Sequence, residues 1–307
     1  MILASLLVSL ALGQSDPFVR SRVTAGNAGA QCLFWTVPTL TWQFSSVGNP
    51  NTSLEDQKRR EFDAIRRSFQ SWQQIFDTCG NLHFSEGPLV DDRKVGYELK
   101  GDNRNIVLFR SMRCSERVSD DNKCWDEDTC GNDFDCWDGD PQTIALTLTT
   151  YDEKSGIIYD SDIQLNASGF VFTTVDPPYP ACPQPVTANP GNCVSTDVQN
   201  TMTHEIGHLL GLDHTRVPGS VMFPSAPQGE TSKRTIDEGS AGFVCLTYPQ
   251  GRASQSCVTP PLERSGNVAV LGRQATGCSS SGAGAWLPAM AGWALLAWRR
   301  RRGGARP

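Results

Sequence analysis

At 307 residues, with 38 % hydrophobic and 20 % charged side chains, the chain has enough apolar material for one sizeable packed domain and is not a disordered chain. A net charge of −6 argues against a nucleic-acid partner, because phosphate binding needs a basic surface. Eleven cysteines point to an oxidising compartment rather than a reducing cytosol.

In chain order, residues 1–13 are apolar (Ile2, Leu3, Leu6, Leu7, Val8, Leu10, Leu12) and end Ala11-Leu12-Gly13 before Gln14. The stretch is too short to span a bilayer and closes on small residues. It therefore predicts a signal peptide, although no Lys or Arg precedes the apolar run. Residues 14–37 form an N-terminal segment ahead of a domain over 38–249. Leu40–Phe44 alternates as a strand. Phe62, Ile65, Phe69, Trp72 and Phe76 recur at intervals of 3 and 4, drawing one apolar stripe along a helix that starts near Ser53. Leu82–Phe84 and Ile106–Arg110 read as the next two strands. Thr143–Thr150 and Asp162–Asn166 read as two more, joined by a turn at Lys154-Ser155-Gly156. Between these pairs, residues 111–142 hold four cysteines and ten carboxylates, among them Asp126, Asp128, Asp133, Asp135, Asp138 and Asp140. Hard carboxylate oxygens in a stapled loop suit Ca2+; a solvated acidic loop is the other reading, and no EF-hand pattern is met.

A helix start follows. Thr196 and Gln199 have capping-box spacing, with Asp197 in the first turn to suit the helix dipole. The helix then carries His204-Glu205-Ile206-Gly207-His208-Leu209-Leu210-Gly211-Leu212-Asp213-His214, which has HExxHxxGxxH spacing and holds three of the chain's four histidines. Positions four apart share a helix face, so His204 and His208 can direct two imidazoles at one ion. Gly211 can leave the helix in a left-handed conformation at no steric cost, and the chain swings back so that His214 supplies a third nitrogen. Three protein ligands with an open fourth position mark a catalytic zinc rather than a structural one. Glu205, next to a ligand but rotated off it, is placed to act as general base on a water activated by the metal.

Downstream, Ser220-Val221-Met222-Phe223-Pro224 puts a methionine eight residues beyond His214. The histidine motif followed by this segment resembles the metzincin zinc peptidases, and among them the matrixins. The resemblance covers about residues 38–249. It implies an α+β fold: a twisted, mixed five-stranded sheet packed with three helices, the last near Ile236–Tyr248, with the zinc helix under a cleft. It assigns Met222 to a hydrophobic floor beneath the zinc. It also makes the 143–150 strand an exposed edge that pairs with an extended protein or peptide substrate. The implied activity is peptide-bond hydrolysis with one catalytic Zn2+. Relative to the family, residues 111–142 are an insertion. His83 alone is left for any second zinc site, Phe223 stands where astacin-like relatives place a tyrosine ligand, and no Pro-Arg-Cys-Gly segment is present. Latency through Cys32 is conceivable, with a structural disulfide as the other use of that residue.

The remaining features concern address. Residues 250–277 form a polar Pro/Gly/Ser linker. Residues 278–307 form a tail with Cys278, an apolar run over 282–298 and four arginines over 299–302. This order resembles myxobacterial C-terminal sorting tails, which implies processing or lipidation near Cys278; a simple membrane anchor is the alternative. Either way the tail touches a membrane before processing, and the protein is exported to the cell envelope or secreted. The ten cysteines before the tail suggest five disulfides, of which the sequence proposes only Cys182–Cys193, flanking a Pro-rich loop. No two CxxC pairs exist for a cysteine zinc site. Two functions remain open at this stage: a secreted zinc endopeptidase, and a non-catalytic, surface-attached adhesion or binding module on the same scaffold. The intact Glu205 favours the first.

Overall fold

Unpaired strand edges and apolar helix stripes have to find partners, and in this chain they find each other. The structure is a computed structural model that describes residues 16–52, 54–186, 191–258 and 271–280. In chain order the main elements are β1 (Thr39–Phe44), α1 (Glu55–Cys79), β2 (His83–Glu86), β3 (Asn105–Arg110), β4 (Ala145–Asp152), β5 (Ile158–Asn166), α2 (Val198–Leu209), α3 (Glu238–Thr247) and β6 (Leu271–Thr276). The six strands make one sheet in the order β6-β4-β5-β3-β1-β2. Neighbours from β5 to β2 run parallel, while β4 lies antiparallel to β5 and β6 antiparallel to β4. The expected α+β plan is therefore present with one more strand, β6, drawn from the segment read as a linker.

The predicted stripe of α1 packs on the sheet. Trp42 stacks on Phe69 with ring centroids 4.0 Å apart, Phe44 on Phe62 at 4.6 Å, and Phe76 meets Phe84 edge-on. Each such buried side chain contributes about 1.5–3 kcal/mol relative to exposure, enough to fix which face of α1 turns inward. The same helix reaches α2 through polar tips. The Trp72 indole donates to the Thr203 carbonyl at 2.9 Å, and the Ser68 hydroxyl to the Gln199 carbonyl at 3.1 Å. The turn at Lys154-Ser155-Gly156 forms as expected, with Asp152 accepting from the Lys154 and Ser155 amides and Gly156 at φ +76°.

All ten cysteines before the tail are paired: Cys32–Cys257, Cys79–Cys245, Cys114–Cys136, Cys124–Cys130 and the expected Cys182–Cys193. Cys32 is thus a structural cysteine and not a latency device. Two of the bridges staple the 111–142 insertion, which folds as three one-turn helices around its own small cluster of cysteines and Val118. Its docking point is electrostatic. The Arg110 side chain from β3, fully buried, donates to Asp135 at 2.7 Å and to Gln164 at 2.9 Å, and Arg93 donates to Asp135 at 2.6 Å. A buried guanidinium is tolerable only when so paired. Asp138 is likewise used internally, accepting from the Gly131 amide. Among the described residues no group of three carboxylates comes together, and the insertion uses Asp135 and Asp138 as docking contacts.

The expected signal peptide (1–13) and the apolar run and arginine cluster of the tail (282–302) lie outside the described residues. Among the described residues no helix is long and apolar enough to cross a membrane.

Candidate active site and metal centre

The helix that carries the histidines is fixed at both ends. Its N-cap is Asp197, not Thr196: the carboxylate accepts from the Asn200 amide at 2.7 Å and is clamped by the Arg234 guanidinium at 2.5 and 2.8 Å. A carboxylate facing the positive helix end is the stronger cap. Thr196 instead lies in a two-residue strand against Phe172–Thr173, and the Gln199 side chain accepts from Arg67. At the other end, the Trp35 indole donates to the Leu209 carbonyl at 2.8 Å and the Tyr248 hydroxyl to the Leu210 carbonyl at 2.6 Å. These two bonds satisfy acceptors that a helix terminus leaves bare. Gly211 then turns with φ +100°, where a Cβ would come within 2.5 Å of the Leu33 carbonyl oxygen. The returning residues Leu212–Asp213 pair with Val19–Arg20, and the Ser21 amide donates to the Gly211 carbonyl. The N-terminal segment is therefore a strap over the turn that delivers His214.

Three imidazoles converge. The Nε2 atoms of His204, His208 and His214 lie 3.1 to 3.2 Å from one another. The Nδ1 of His204 meets the Val221 carbonyl at 2.6 Å, and that of His208 the Leu212 carbonyl at 2.8 Å. Carbonyls only accept, so Nδ1 carries the proton on both rings and their Nε2 atoms are bare acceptors. Two acceptors facing each other make no hydrogen bond; the short separation demands a cation. Zn–N bonds of about 2.0–2.1 Å at a tetrahedral centre span this triangle. Burial holds all three histidines below the ordinary imidazole range, which keeps them neutral as ligands must be. Among the described residues this is the one ligand cluster, and the exposed His83 on β2 is no part of it.

Glu205 is fully buried beside the triad and is not one of the cluster's ligands. Its Oε2 accepts from the Thr147 hydroxyl at 2.6 Å and its Oε1 from the Cys278 amide at 3.2 Å. Burial pushes its carboxyl up to about 8, against those two hydrogen bonds, which favour the carboxylate. Met222 is also fully buried, on the face of α2 that carries Gly207. A Cβ at position 207 would lie 2.2 Å from the Met222 sulfur. The glycine inside the motif thus leaves the space into which the Met222 side chain packs.

The β4 edge, expected to stand open, is covered. Strand β6 pairs along it from Leu271↔Asp152 to Thr276↔Thr147. Beyond β6 the backbone continues through the cleft. The Ile144 amide donates to the Cys278 carbonyl at 2.8 Å, and the Ser279 amide to the Pro224 carbonyl at 3.0 Å. The Ala226 amide donates to the Ser279 carbonyl and the Ser280 amide to the Gln142 carbonyl, both at 3.0 Å. Cys278 is the free cysteine, buried in the main core, and burial pushes its thiol up to about 12. A cavity of about 300 Å3 continues past Ser280, lined by Ile144, Phe170, Val171, Ser195, Ala226 and Gln228 among others. Sequence reasoning missed Thr147 and the contact of the 271–280 segment with Glu205. Strand alternation shows which residues share a face but not which helix side chain a given hydroxyl meets.

The profile of the matrixin family (Peptidase_M10) matches residues 34–241 of this chain. Two plant proteins from Arabidopsis thaliana are similar over shorter stretches. Metalloendoproteinase 1-MMP is 37 % identical over 67 residues, which is 22 % of this chain and 18 % of that protein. Metalloendoproteinase 2-MMP is 37 % identical over 57 residues, 19 % of this chain and 14 % of that protein. Each match thus spans less than a fifth of the relative's length.

Proposed function

Because this chain belongs to the matrixin family of zinc-dependent metallopeptidases, we propose that it is an exported zinc endopeptidase that cuts peptide bonds at the His204, His208 and His214 centre. The observation that carries the reading is the buried triangle of three acceptor nitrogens with a carboxylate outside the ligand set beside it. When bound, zinc supplies Lewis-acid polarisation of a carbonyl and a water of lowered pKa. The chain's own residues do the rest. Glu205 accepts the proton of the attacking water and returns it to the leaving nitrogen, and Thr147 holds the carboxylate in line for both steps. Ile144, Pro224 and Ala226 offer the backbone groups that align an extended peptide across the cleft. Glu205 is fully buried, so its hydrogen bond to Thr147 acts in a low-dielectric surrounding.

The tail over 278–307 is proposed as a sorting and processing segment, leaving the mature domain at the cell surface or released. The binding-module reading draws on a single observation, that the cleft is filled by residues 271–280. Elemental analysis and a gelatin digest separate the two. One zinc per chain and a chelator-sensitive digest are expected. Two tightly held zincs, or full activity after chelation, would overturn the metal assignment.

A further inference from the structure

The segment that fills the cleft is the chain's own, and its register is specific. Three observations fix it. First, β6 lies antiparallel on the β4 edge over six residues, so the backbone enters the cleft fully extended. Second, Gly277 passes so close to β4 that a Cβ would lie 2.0 Å from the Ala145 carbonyl oxygen. No other residue type fits this crossing without moving the segment away. Third, the next amide, that of Cys278, donates to Glu205 at 3.2 Å, while Ser279 is gripped on both sides by Pro224 and Ala226. The nitrogen of the Gly277–Cys278 bond is therefore held against the one carboxylate placed to deliver a proton to a leaving nitrogen. The Cys278 sulfur does not join the ligand cluster and contacts the Ser279 carbonyl at 3.9 Å, so the segment presents a peptide bond rather than a thiol.

We propose that residues 271–280 are the enzyme's intramolecular substrate and that the chain cuts its own Gly277–Cys278 bond, freeing itself of everything from Cys278 onward. The step is a hydrolysis: the water oxygen joins the Gly277 carbonyl carbon and the bond to the Cys278 nitrogen breaks. Both water protons end on that nitrogen, the first passed through Glu205 and the second given up by the new carboxyl, leaving a Gly277 carboxylate and an ammonium terminus at Cys278. Until then the open cleft is unavailable to other peptides. The inference rests on the endopeptidase reading, and the test separates the two.

The test uses the full exported chain in four forms: wild type, Glu205→Ala, Gly277→Val, and the two substitutions together. Intact-mass measurement of the zinc-loaded wild type should show conversion to a species ending at Gly277. The rate should not change over a hundredfold dilution, as an intramolecular reaction requires; Glu205→Ala should stay whole. In zinc-free Glu205→Ala, the Cys278 thiol should react with a maleimide at least about tenfold more slowly than in the doubly substituted chain, where the valine evicts the segment. Gly277→Val alone should digest gelatin without a lag and keep its tail. A freely reactive Cys278 in Glu205→Ala would overturn the occupancy. A cut at any other bond, a rate proportional to concentration, or trimming of Glu205→Ala at the same bond would overturn self-cleavage. If Gly277→Val digests gelatin while the wild type leaves Gly277–Cys278 intact, the inference fails and the endopeptidase stands. If Gly277→Val holds one zinc yet cuts nothing, both fail.

Discussion

Both ends of the described chain come back to α2, and they are held there by different means. Residues 19–21 pair with the turn that positions His214, and Cys32, a short way further on, is bridged to Cys257. Residues 271–280 pair with β4 and touch Glu205, but their one cysteine is unbridged and every contact is non-covalent. The first end completes a metal ligand, so its loss would undo the centre itself. The second fills the cleft against Glu205, so its loss would uncover that carboxylate. The first end is stapled covalently, whereas the second, with its buried Cys278, is held by backbone pairing and packing without a bridge.

The largest effect that sharpens this contrast is chemical. Glu205→Ala should lower peptide hydrolysis by about 10²–10⁴ while zinc content and melting temperature hold. Kinetics, metal analysis and calorimetry on one preparation check it, and a variant as active as wild type would remove Glu205 from its role. Next comes the staple. Replacing Cys32 and Cys257 together by serine should cost about 2–5 kcal/mol in denaturant unfolding, because the bridge closes a loop of 225 residues. Gly277→Val, which lifts only the C-terminal segment, should cost less than that. If the order were reversed, the C-terminal strand would be the structural end and the contrast would break.

The smallest effect concerns Thr147. In the proposed mechanism Glu205 acts as a carboxylate, a form present above its pKa and lost as pH falls through it. The Thr147 hydroxyl favours that form, so its removal raises the pKa further. Thr147→Val should therefore move the acid limb of kcat/KM to higher pH, with a loss of about tenfold on the acid side and little change in the alkaline range. A profile that only scales down at every pH would make Thr147 a packing residue.

The centre was legible because its chemistry needs fixed residue types at fixed spacing. The three histidines converge, the chain turns at Gly211, and Met222 packs against Gly207. The α1 stripe was legible for the same reason of periodicity. Other features depended on residues distant in sequence. Asp197 outcompetes Thr196 as cap because Arg234, thirty-seven residues later, pairs with it. Cys182–Cys193 was legible from a separation of 11 residues, whereas bridges spanning 225 and 166 leave no local trace. Strand β6 was the hardest. Leu-Gly-Arg-Gln-Ala-Thr has little intrinsic strand character, and what orders it is the unpaired edge of β4. Its contact with Glu205 follows from that pairing and so was equally hidden.

The Cys32–Cys257 bridge has a kinetic consequence for the other end. It pins residue 257 to the body of the domain, and only 13 residues, 258–270, separate that pin from the last strand. A connection of 13 residues keeps its far end close to the domain, so an added peptide competes with a rival that never diffuses away. Full-length protein would show a lag whose length is set by loss of the tether's cargo rather than by the affinity of the added peptide.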